Sequence, residues 1–110
     1  MTSQWRLFTN AHREEGARKV GNRILDGIGV SGAEMRISPY YKGGFVLEWD
    51  IEHDEDRWPY VVIQLLALAQ SVGRDWRFSG AIEHELGLWS SSVSASGATA
   101  LHVSAMRCDE

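Results

Sequence analysis

Phe45-Val46-Leu47-Glu48-Trp49-Asp50-Ile51-Glu52 alternates without a break, with Phe45, Leu47, Trp49 and Ile51 on one side and Val46, Glu48, Asp50 and Glu52 on the other. Successive side chains of a strand point to opposite faces, so the segment reads as a strand with one buried and one wet face. Just before it, Lys42-Gly43-Gly44 has the composition of a hairpin turn. Ala33 to Tyr40 supplies the preceding strand, with Met35 and Ile37 opposite Glu34 and Arg36. Just after it, Asp54 or Asp56 can cap a helix that carries Pro59 in its first turn, where a missing N–H costs nothing. The helix body, Tyr60 to Val72, is apolar over most of its circumference and stops at Gly73. Such a helix is buried on more than one side.

Working outward, Gln4 to Thr9 has strand composition, and Asn10 can cap a helix from Ala11 to Ile28. Ala17, Val20, Gly21, Ile24 and Ile28 form its apolar stripe. Gly16 and Gly21 cost that helix about 1 kcal/mol each relative to alanine unless close packing requires them. Trp76 to Trp89 reads as one long strand, with Phe78, Ile82, His84, Leu86 and Leu88 on the core parity and Glu83, Glu85 and Trp89 opposite. Ser90 to Gly97 reads as a loop, Ala98 to Met106 as a last strand, and Arg107 to Glu110 as a frayed tail. The order β-α-β-β-α-β-β predicts an α+β fold of the ferredoxin-like, split β-α-β kind. It has a mostly antiparallel five-stranded sheet with two helices on one face. Right-handed crossovers place the first strand between the third and the fourth, with the fifth pairing at the edge.

The chain has 110 residues, enough for one domain spanning 1–110, with neither an internal repeat nor a Pro/Gly linker to divide it. Its 44% hydrophobic and 24% charged residues exclude a disordered chain. No apolar run approaches about 18 residues, and Met1 to Arg6 lacks a signal core, so no membrane partner is expected and a cytoplasmic address is. The net charge of −4 argues against direct nucleic-acid binding. That charge is uneven: residues 1–25 carry a net +3, the rest a net −7. Six acids fall in nine residues at Glu48, Asp50, Glu52, Asp54, Glu55 and Asp56. A field so concentrated bears on partners more than on fold.

On these parities the helix-free face displays Glu48, Asp50 and Glu52 beside Glu83 and Glu85, with Gln4, Arg6 and Phe8 of the first strand between the two rows. His102, Ser104 and Trp89 extend it. Like charges directly opposite one another are destabilising, so a face that keeps such repulsion is suited to a basic partner. Solvation alone is the simpler account of the same carboxylates, since the open face of an antiparallel sheet is normally polar.

Of the five tryptophans, Trp5 and Trp49 have core parity, whereas Trp58 and Trp89 stand beside acids and are candidate interface anchors. Chemistry finds less support. Glu52-His53-Asp54 and Glu83-His84-Glu85 offer metal ligands, but consecutive strand residues cannot close around one ion. His84-Glu85 lacks the second histidine of a zinc-protease motif, and His84 reads as a core residue. Cys108 is the single cysteine and has no adjacent histidine, so it supports neither a disulfide nor a nucleophile. No nucleophile, base and oxyanion hole assemble, so neither an enzyme nor a cofactor is expected.

In size, charge and its acidic segment Glu48–Asp56 with aromatics beside it, the chain resembles the small acidic immunity proteins of bacterial toxin systems. The resemblance implies inhibition of a cognate, basic toxin domain such as a nuclease. Glu48, Asp50, Glu52, Asp54, Asp56, Glu83 and Glu85 would then stand in for phosphates, with Trp58 or Trp89 as anchor. The alternative is a homodimeric ferredoxin-like protein binding a small molecule between stacked sheets, which requires an apolar open face. A third reading has the apolar second helix mediating self-association.

Overall fold

The computed structural model describes residues 1–108. It is an α+β domain with two helices and a six-stranded sheet in the order β2-β3-β1-β8-β6-β5, every neighbouring pair antiparallel. Its strands are β1 (Thr2–Thr9), β2 (Arg36–Pro39), β3 (Phe45–Glu52), β5 (Arg77–Ser79), β6 (Glu85–Ser90) and β8 (Ala98–Met106). The helices are α1 (Glu14–Gly27) and α2 (Trp58–Val72), and β4 (Gly73–Arg74) pairs with β7 (Ser92–Val93) in a separate two-stranded ribbon.

The alternation of 45–52 holds. Trp5 pairs with Trp49 and Val103, and Leu7 with Leu47 and Leu101, which aligns three strands of inward side chains. These bury against Ala17, Val20 and Ile24 of α1 and Val61, Leu65, Ala69 and Val72 of α2. Two glycines on α1 are explained by closeness. A Cβ on Gly21 would come within 2.7 Å of Leu47 and Met35, and one on Gly27 within 2.7 Å of Val72 on α2. The helix propensity lost at those positions is offset by tight helix–sheet and helix–helix approach.

Several expectations are corrected, the first being the strand count, since the sheet has six strands and not five. The segment Trp76–Trp89 is not one strand: Gly80 turns at φ +87°, and β5 folds back on β6 with Arg77 opposite Trp89. Broken in this way, it cannot supply the long strand the sheet centre needs. The nine-residue β8 takes the place beside β1 and pairs along nearly all of it, while β6 lies outside β8. His84 therefore sits exposed in the turn between β5 and β6 rather than in the core, its N–H bonded to the Ala81 carbonyl at 2.8 Å.

Both predicted caps also differ. Asn10 donates its backbone N–H to Gly97 instead, and α1 starts only after Arg13. At α2, Glu55 rather than Asp54 or Asp56 accepts the N–H groups of Asp56 and Arg57, at 3.1 Å each. Finally, Arg107 is tied down, its N–H on the His84 carbonyl at 2.7 Å. The remainder of the expected frayed tail, residues 109–110, lies outside the described residues.

Candidate functional site on the open face of the sheet

The face that the helices leave uncovered is organised in cross-strand rows, because antiparallel register sets outward residues side by side. One row runs Arg36, Glu48, Arg6, His102, Trp89, Arg77 across all six strands. The next runs Asp50, Gln4, Ser104, Gly87, Ser79. Glu48, Asp50 and Glu52 point outward as their parity requires. The strand beside β1 is β8, however, so Arg6 faces His102 and not a second line of acids.

The expected repulsion is absent at those acids, since each has a partner. Arg6 grips Glu48 through Nε and Nη2 at 3.2 and 3.0 Å. Arg36 reaches Asp50 at 3.7 Å, and the N-terminal ammonium reaches Glu52 at 3.6 Å. The Thr2 hydroxyl donates to Glu52 at 2.6 Å, and this hydrogen bond is the main reason its carboxyl lies below the ordinary value. Alternation along the strand fixes the outward direction of these acids, but only the pairing of strands brought Arg36 into their row.

The other predicted residues divide. Asp54 and Asp56 are exposed in the link to α2, where Glu55 is the engaged carboxylate. Its hydrogen bonds with the Arg57 guanidinium, and then with the Arg57 backbone, pull its carboxyl down to about 2. Glu83 lies in the turn before β6 and off the sheet face, and Glu85 begins β6 at the edge of that face. Trp58 is not an exposed anchor. It is 3% exposed and its indole N–H donates to the Ile82 carbonyl at 2.7 Å, which seats the start of α2 on the turn. An indole so buried is a core side chain.

Trp89 keeps its place as an exposed ring, 41% accessible, and Phe8 lies on the open face as its parity requires, but their contact and the part of Tyr40 in it were missed by the sequence reading. Phe8 stacks at a tilt against Trp89 with centroids 5.6 Å apart and meets Tyr40 edge-on at 5.2 Å. Tyr40 in turn packs on Tyr41 at 4.9 Å, and Trp89 on His102 at 6.2 Å. The cluster adjoins Val46 and Ala100, Phe8's two cross-strand partners, which are buried despite their outward parity. Phe8, Val46 and Ala100 are apolar residues on the polar parity of three different strands, and that was the available signal. A cleft of about 610 Å³ borders this cluster, edged by Lys42 and His12.

A second cleft, about 510 Å³, opens over the row of Gln4, Ser104, Gly87 and Ser79, with Glu85 and His102 at its sides. Burial, with a smaller push from Arg6, lowers the pKa of His102 and favours its neutral ring. Among the described residues no three His, Cys, Asp or Glu side chains group closely enough to hold a metal ion, and Cys108 is exposed with its thiol on the Met106 carbonyl at 3.4 Å. No helix among the described residues is long and apolar enough to cross a membrane.

On the inner face one polar network is enclosed. Trp5 Nε1 donates to Ser3 Oγ at 2.9 Å, and Ser3 Oγ lies 2.8 Å from His53 Nε2. With one proton and two lone pairs, the Ser3 hydroxyl bridges the Trp5 indole and the His53 ring. Burial is the largest cause lowering the pKa of His53, partly opposed by a hydrogen bond with Gln64. The network ties β1 to the end of β3 and to α2.

No family model matches this chain, and neither do the curated proteins or the solved structures compared with it.

Proposed function

We propose that the chain is a protein-binding module whose contact surface is the open face of the sheet, and that its partner is basic. The observation that carries this reading is the aromatic cluster of exposed Trp89 with half-buried Phe8 and Tyr40, set against a charged row on a face no helix covers. Aromatic rings beside polar groups are the composition of interface anchors. The overall charge of −4 favours a cationic partner. So do Asp54, Asp56, Glu83 and Glu85, which make no ion pair among the described residues. Because Glu48, Asp50 and Glu52 are already paired, they contribute to orientation, while the unpaired acids steer association.

In its biological form this is neutralisation of a toxin by an immunity protein, whose acids cover a basic, nuclease-type surface. The fold fits a ferredoxin-like core of β1-α1-β2-β3-α2-β8, into which β4 to β7 are inserted before the last strand. Place of action in this reading is the cytoplasm, and no catalysis is required of the chain.

The test is co-expression with the product of the adjacent gene, followed by association kinetics at low and high salt. Trp89→Ala should speed dissociation, as loss of an anchor does. An Asp54→Asn, Asp56→Asn, Glu83→Gln triple variant should associate more slowly with a flatter salt dependence. Unchanged kinetics in both variants, with both folded, would sink the proposal. A stable homodimer that buries Trp89 would favour the stacked-sheet alternative instead.

A further inference from the structure

We propose that the cleft over Gly87 is the socket for an arginine side chain of the protein partner, a refinement that rests on the open face being the binding surface. Gly87 is the key to the cleft. It lies in register between Ser104 and Ser79 on the open face, where neighbouring strands carry side chains. Its φ is not in the left-handed region, so the backbone makes no demand for glycine there. The demand is for space, because a Cβ on Gly87 would collide with the Ser79 hydroxyl. With no Cβ at 87, the Ser79 hydroxyl lies over that strand and joins the lining of a cleft of about 510 Å³.

The surroundings specify what the cleft would hold. Gln4, Ser79 and Ser104 offer an amide and two hydroxyls, and Glu85 offers a carboxylate that makes no ion pair among the described residues. The ammonium of Met1 also borders the cleft, but it is already turned to Glu52. His102, favoured in its neutral form, adds no fixed positive charge, and Met106 supplies an apolar wall for an aliphatic stem. A carboxylate that shares one cleft with an amide and two hydroxyls matches a planar guanidinium, which presents five donors in a rigid fork. A lysine ammonium would meet the same carboxylate as a point charge and leave more of the acceptors unmet. Trp89, one row position from Gly87, lies where the rest of the partner's chain would pass.

The experiment titrates the isotopically labelled protein with N-acetyl-arginine amide, with the lysine amide, and with the citrulline amide as a neutral isostere. Amide resonances are followed by NMR. Arginine amide should move the signals of Gln4, Glu85, Gly87 and Ser104, while citrulline amide leaves them in place. Glu85→Gln, at an exposed position that folding does not depend on, should weaken arginine binding by about tenfold, the loss expected for one charge-assisted contact. Ser104→Leu should block the cleft, with Glu15→Gln on α1, exposed and away from the open face, as the control that leaves binding unchanged.

Shifts spread over all the acidic residues, equal response to citrulline, or indifference to Glu85→Gln would each overturn the socket. If arginine amide perturbs only Trp89, Phe8 and Tyr40, the cleft proposal fails while the aromatic binding face survives. If the adjacent gene product does not bind at all but the socket titrates as expected, it is the wider reading that fails.

Discussion

Arg6 and Glu48 stand directly opposite each other on β1 and β3, and the guanidinium holds the carboxylate through two nitrogens at 3.2 and 3.0 Å. This pairing turns what reads as an acid strip into a row of alternating charge. It also sets the expected energetics. The pair is exposed, with side-chain accessibilities of 53% and 35%, so solvent screens most of its Coulomb energy. Glu48→Gln should shift the unfolding free energy by less than about 1 kcal/mol in urea titrations. A loss above about 2 would mean the row is a structural element rather than a surface.

The enclosed His53 makes stability depend on pH. Its folded-state pKa lies below the ordinary 6.5, chiefly through burial, so the unfolded chain binds the proton more tightly than the native one. The stabilisation is complete above the unfolded value and is lost as pH falls through 6.5 toward the folded value. His102 acts in the same direction. Thermal melts between pH 8 and pH 5 should show falling stability, with a shallower fall in His53→Gln. Identical slopes for the two proteins would assign the dependence to other groups.

The two stacked tryptophans differ in what their N–H groups do. Trp5 donates to Ser3, whereas Trp49 Nε1 is buried with no partner among the described residues. Trp5→Phe therefore removes a bond that orders the Ser3–His53 link, while Trp49→Phe removes an N–H that gains nothing. Denaturation of the two variants should find Trp5→Phe the more costly by about 1 kcal/mol. The reverse order would show that ring packing outweighs the polar network.

Trp58 and Trp89 should separate in a stability measurement. Trp58→Ala opens a cavity at the base of α2 and loses the bond to Ile82, at a cost of about 3–5 kcal/mol. Trp89→Ala removes a ring from a partly exposed cluster and should cost about 1 kcal/mol, in the ordinary range for single substitutions. Similar large losses at both positions would place Trp89 in the structural core and weaken its role as an anchor.

By itself the sequence determined the parity of 45–52, the core role of Trp5 and Trp49, the apolar second helix from its proline to Gly73, and the α+β class. These are local properties: a strand's alternation and a helix's stripe are set by backbone geometry over a few residues. Only the tertiary structure decided which strand sits beside β1, because that choice depends on the turn at Gly80 and on the greater length over which β8 can pair. The same choice brought Arg36 and His102 into the row of Glu48, joined Phe8 to Trp89 and Tyr40, and swung Glu83 and His84 into a turn. A charge read along the chain has no sign of its surroundings until the strands across the sheet are known. Coulomb and packing energies depend on distances in space, and here those distances join residues more than 40 positions apart.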